Sequence, residues 1–113
     1  MSKKINVVLY NSETKKFTEE TVGHYKDYYK LLNCSMFEIT MPSEDISLYV
    51  DEEGLYNSGS SVAEIRHGDH YRNMIAGNIV FTGGVSNSGN SLSFEGGIER
   101  AKAMLYGTNK VVK

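Results

Sequence analysis

The sequence predicts an α+β fold: a single antiparallel β-sheet with two helices packed on it, built as one domain over residues 1–113. Three observations point there. Short runs of β-branched and aromatic residues recur between turn residues. Two stretches switch to the 3.6-residue period of an amphipathic helix. The strand-like runs are joined by connections too short for a parallel crossover, which makes the pairing antiparallel. At 113 residues, 40% hydrophobic and 23% charged, the chain has ordinary globular composition. A domain of this size buries roughly two thirds of its unfolded surface, enough for a core without metal or disulfide.

The first element is "KINVVLY", a strand near residues 4–10. Its near-continuous apolar run places it centrally in the sheet. "NSETKK" is a polar turn, and "FTEETV" continues extended. In "GHYKDYYKLLN", Tyr25, Tyr28, Tyr29 and Leu32 fall at i, i+3, i+4 and i+7, the face of a helix near residues 24–33. Asn33 tolerates a left-handed helix end. The tyrosines read either as a base-stacking platform or as a helix resting on the sheet, and the second reading suits side chains that bury well with the hydroxyl at the edge. "SMFEITMP" and "DISLYVD" are strands near 35–41 and 45–51, separated by the turn chemistry of Pro42, Ser43, Glu44 and Asp45. "DEEG" makes another turn with Gly54 at its end, and "LYNSG" returns as a short strand.

"SGSSVAEIRHGDHYRNM" shows the least regular pattern and reads as a long connection. "AGNIVFTGG" is a strand near 77–83, and "VSNSGNSLSF" a loop or hairpin around Ser88, Gly89 and Asn90. "EGGIERAKAMLYG" supplies the second helix, near 96–106. There Ile98, Ala101, Met104 and Leu105 share a face and Gly107 serves as the stop. "TNKVVK" reads as a weakly docked tail. Together these elements give strand, helix, meander, strand pair and helix, with both helices covering one face of the sheet.

Charge excludes some classes of function. Twelve basic and fourteen acidic side chains leave a net charge of −2, which disfavours nucleic acid as a partner, since phosphate binding relies on Lys and Arg. The single cysteine, Cys34, forms no internal disulfide and suits a reducing compartment. The apolar run from Ile5 to Tyr10 is too short for a signal-peptide core, and nothing approaches the roughly 20 apolar residues that span a bilayer. A soluble protein without a membrane partner is therefore expected.

Candidate chemistry centres on "HGDHYRN". His67, Asp69 and His70 lie within four residues and have metal-ligand or acid–base chemistry. No second Cys/His cluster completes a zinc site, so neither a metal nor another cofactor is expected. No nucleophile accompanies them, so a small hydrolase is the weakest reading. Tyr71 offers a face for stacking, Arg72 a fork for phosphate or carboxylate, and Asn73 a donor–acceptor pair. The expected site is thus a recognition loop from Glu64 to Asn73, carrying His67, Asp69, His70, Tyr71, Arg72 and Asn73 on a rigid scaffold. His70 would make its binding depend on pH. Glu44, Asp45, Asp51, Glu52 and Glu53 fall at two turns and form a candidate acidic docking patch, or simply keep those turns solvated. "TGGVSNSGN" has the glycines of a phosphate cradle, but neither the Walker lysine nor the G-x-G-x-x-G spacing.

"INVVLY", "YKLLNCSMFEITMPSEDISLYVDEEGL" and "MIAGNIVFTGG" together resemble an uncharacterised family of small proteins from phages, plasmids and other bacterial mobile elements. The corresponding family features sit at Glu38 to Met41, Asp51 to Gly54 and Ile75 to Val80, with Asp51 where the family usually has Asn. The resemblance covers residues 4 to 84 and leaves out the C-terminal helix. It implies an accessory protein in the cytoplasm of a bacterial host. By analogy with such proteins, the expected function is a non-enzymatic binder that counters a defence system by blocking a defence protein or sequestering a nucleotide signal. The alternative is a regulatory or nucleic-acid-associated protein of the mobile element, and homo-oligomerisation is compatible with either.

Overall fold

The computed structural model describes residues 4–53, 61–86 and 91–110. In chain order these form β1 (Ile5–Asn11), β2 (Lys16–Val22), α1 (Lys26–Leu32), β3 (Phe37–Ser43), β4 (Ile46–Asp51), β5 (Ser61–His67), β6 (Tyr71–Ala76), β7 (Ile79–Thr82), α2 (Gly97–Met104) and β8 (Leu105–Lys110). The expected strands near 4–10, 35–41, 45–51 and 77–83 and the expected helices are present. Gly54, the "LYNSG" strand and the turn at Ser88, Gly89 and Asn90 lie outside the described residues.

The single sheet is corrected to two. A five-stranded sheet runs β2-β1-β7-β4-β3 and a three-stranded sheet runs β6-β5-β8; each pairing is antiparallel. The reason lies in the central strands. All residues from Ile46 to Val50 and from Ile79 to Thr82 are buried, so the large sheet needs cover on both faces. Helices of seven and eight residues are too short to supply it alone. The helices accordingly lie on opposite faces rather than sharing one. On one face, Tyr28 and Leu32 of α1 pack on Val7, Tyr49 and Val80. On the other, Val8, Tyr10, Ile46, Leu48, Val50, Ile79 and Phe81 meet Ala63, Ile65 and Ile75 of the small sheet, with Phe94, Ala101 and Met104 beside them.

Helix α1 follows the tyrosine spacing. Tyr28 lies flat on Tyr49, with ring centroids 3.8 Å apart and planes 2° from parallel. Tyr29 is half-buried and Tyr25 stands in solvent. The helix start is held by Asp27, whose carboxylate accepts hydrogen bonds from the Gly23 and His24 backbone N–H groups at 2.9 and 3.1 Å. Asn33 closes the helix in the left-handed region, at φ 52°.

Two segments differ from expectation. The recognition loop is a β-hairpin: β5 runs to His67, Gly68 turns at φ 62°, and β6 begins at Tyr71. The supposed tail, as far as Lys110, belongs to β8, whose Leu105 pairs with Ile65; residues 111–113 lie outside the described residues. Helix α2 therefore ends at Met104, and Gly107 lies opposite Glu64 in a strand instead of stopping a helix. Pairing with β5 overrides the weak local signal of "YGTNK", because a strand's stability comes from its neighbours.

The two glycines of "TGG" serve packing. A side chain at Gly83 would place Cβ 1.9 Å from the Ser93 carbonyl oxygen, and one at Gly84, where φ is 94°, would sit 2.6 Å from that of Glu44. The Gly83 N–H donates to the Leu92 carbonyl at 2.8 Å, so it is committed to the chain rather than offered to a phosphate.

Candidate functional site

The β5–β6 hairpin and β8 present two faces of different chemistry. Side chains alternate across a strand. Ala63 and Ile65 of β5 and Ile75 of β6 go into the core. Glu64 and Arg66 of β5, Arg72 and Met74 of β6 and Tyr106 of β8 take the other, outward face. There Arg66 is the direct cross-strand neighbour of Arg72. Like charges so placed repel. One carboxylate, Glu64, is ion-paired to both: to Arg66 Nε, and to Arg72 Nη2 at 3.1 Å. The Arg66 guanidinium also lies over the Tyr106 ring, 4.7 Å from its centroid.

The exposures show what this arrangement is free to do. The Glu64 side chain is only 16% exposed, whereas that of Arg72 is 65% exposed. Tyr106 is 60% and Met74 41% exposed. Desolvation pushes the Glu64 carboxyl up; the hydrogen bond and charge of Arg66, joined by Arg72, more than reverse this and hold it below its ordinary value. Glu64 therefore stays ionised as a brace between two cations. Among the described side chains, the outer face carries one net positive charge, an aromatic ring and a thioether.

The expected site residues are divided by this geometry. Arg72 belongs to the outer face. Tyr71 turns the other way: half-buried, it packs against the core between the sheets, and its hydroxyl lies 3.0 Å from Thr40 Oγ1 on β3. Asn73 donates to that same hydroxyl at 3.4 Å. His67 is half-buried at the end of β5, while Asp69 and His70 are exposed in the turn. Among the described residues, no group of three His, Cys, Asp or Glu side chains is placed to hold a metal ion.

The five acidic residues are also separated. Glu44 and Asp45 lie at one end of β4, and Asp51, Glu52 and Glu53 at the other. Asp45 accepts from Ser43 Oγ, which lowers its pKa, and pairs with Arg100 at 3.5 Å. Asp51 accepts from the Glu53 backbone N–H at 2.9 Å. These contacts are turn chemistry, and the two groups do not form one continuous patch.

Sequence reasoning missed Arg66, Met74 and Tyr106. The signal was the alternation Ala63-Glu64-Ile65-Arg66, which marks a strand with one wet face. Tyr106 had no such signal, because it joins the face only through the pairing of β8 with β5.

A domain of unknown function, DUF3846, matches residues 5–106. The chain belongs to this family. The DUF3846 match runs from the first residue of β1 into β8, so it includes α2, which the resemblance read from sequence left out. No curated protein and no solved structure matches the chain. Among the described residues of this DUF3846 protein, no helix is long and apolar enough to cross a membrane.

Proposed function

We propose that this DUF3846 protein is a binding protein, not an enzyme, and that the outer face of its small sheet docks an acidic segment of a partner protein. The observation that carries this reading is the cross-strand pair Arg66 and Arg72 sharing the single carboxylate of Glu64. A partner carboxylate would supply the missing counter-charge, and Arg72, 65% exposed, has N–H groups beyond those turned to Glu64 with which to hold one. Tyr106 and Met74 would add apolar contact area, as aromatic, Met and Arg side chains do at interfaces. The resemblance to mobile-element proteins makes a bacterial defence protein the partner class.

The test is protection of a phage or plasmid in bacteria that carry defence systems. Arg72→Ala, at a side chain 65% exposed, should keep the wild-type melting profile and lose protection. The charge-reversed variant Arg66→Glu/Arg72→Glu should stay folded at a lowered melting temperature, since it sets three carboxylates together, and lose protection too. Full protection by either folded variant would exclude this face as the docking site. A wild-type protein that protects against none of the systems would refute the anti-defence role.

A further inference from the structure

A second site lies away from this face. An open cleft of about 420 Å³ is lined by Lys15, Lys16, Phe17, Lys102 and Leu105. Its volume is within the range of small-ligand sites. Lys15 precedes β2, Lys16 and Phe17 begin it, Lys102 lies in α2 and Leu105 starts β8. Three lysines, two adjacent at the start of β2 and one on α2, thus line one concavity, and among the described residues none of them forms an ion pair with a carboxylate. Concentrating like charge this way costs stability. The nearest acid of β2 in the same alternation, Glu19, is directed towards Gly97 at the start of α2, where the helix dipole favours it.

The cleft is preorganised. Lys15 is held at φ 59°, a conformation few side-chain-bearing residues adopt. Its backbone N–H donates to the Asn11 carbonyl at 2.7 Å, and the Asn11 side chain accepts from the N–H groups of Glu13 and Thr14 at 2.9 and 3.2 Å. Phe17 is held from behind by the Tyr10 and Phe81 rings, with centroids 5.0 and 6.3 Å away. Phe17 and Leu105 are both half-buried, so the cleft has an apolar floor beneath a cationic rim.

We infer that this cleft binds a free nucleotide, with its phosphate against Lys15, Lys16 and Lys102 and its base on Phe17 and Leu105. Each part of the ligand answers one part of the cleft. Lysines are flexible point charges suited to phosphate, and an aromatic floor accepts the flat face of any base.

Calorimetric titration of the full chain with AMP, adenosine and inorganic phosphate tests this. AMP should bind roughly tenfold tighter than either fragment and weaken as salt is raised. Lys16→Gln/Lys102→Gln should weaken AMP binding roughly tenfold at an unchanged melting temperature, and Phe17→Leu should weaken AMP but not phosphate. Absence of saturable AMP binding, or equal affinity for AMP and adenosine, would overturn the inference. A 5′-phosphorylated oligonucleotide binding more tightly than AMP would replace the free nucleotide with a nucleic-acid end. Arg66→Glu/Arg72→Glu should leave AMP binding unchanged, so the two proposed sites stand or fall separately.

Discussion

The two sheets solve the same problem in opposite ways. The five-stranded sheet hides both faces of its central strands, even where the residue is polar: Ser47 and Thr82 are fully buried, and Thr82 Oγ1 donates to the Ser47 carbonyl at 3.0 Å. The three-stranded sheet buries Ala63, Ile65 and Ile75 on one face; on the other, Val62 and Ala76 are buried at one end while Arg66, Arg72, Met74 and Tyr106 are exposed. A residue buried on either face of the large sheet is constrained by packing. One on the exposed part of the small sheet is not, and is available for recognition. The difference teaches where to look for function: on the part of a sheet face that the fold does not bury.

The comparison breaks most directly at Phe81, which is 0% exposed at the centre of the large sheet. Phe81→Ala should cost about 3–5 kcal/mol in denaturant unfolding. A cost near zero would mean that the large sheet is not the closed layer described.

Ile65, also 0% exposed, tests whether the small sheet shares that core. Ile65→Ala should cost about 2–5 kcal/mol and leave a single unfolding transition. Two separate transitions would mean that the small sheet is an independent unit and the comparison one between domains.

The smallest effect concerns pH. The backbone N–H groups of Gly23 and His24 hold the Asp27 carboxyl below its ordinary value. A carboxyl depressed in the folded state stabilises it above the unfolded pKa, and that contribution is lost as pH falls through the folded value. Helix α1 should therefore weaken below about pH 4 in the wild type, followed as melting temperature against pH. Asp27→Asn should remove that part of the dependence. An identical pH profile in the variant would show that the Asp27 contacts do not support the helix.

Much of the large sheet was legible. "INVVLY", "ISLYV" and "NIVF" are continuous apolar runs, and the strands stand where those runs are. The same runs also implied that both sheet faces need cover, a consequence at odds with helices on one face only. The small sheet was harder to read because its alternation is interrupted by polar residues. Asn73, expected among the binding groups, occupies the inward-facing alternation between Tyr71 and Ile75. The candidate site was half legible: the Glu64 to Asn73 segment contains Arg66 and Arg72, but the loop assignment hid which residues share a face. With Gly68 recognised as a hairpin turn, His67 pairs with Tyr71 and Arg66 with Arg72, and the outer face follows.

The sequence by itself determined the position of most strands, the helix that begins near Tyr25, and the turns at Asn33 and at Glu44–Asp45. Period, β-branching and turn chemistry act over a few residues, so they can be read locally. Only the tertiary structure decided that there are two sheets, that Leu105–Lys110 is a strand, that Tyr71 faces inward, and that Lys15, Lys16 and Lys102 line one cleft. Each of these depends on residues far apart in the chain. The free energy that settles them comes from surface buried between elements, which no local pattern records.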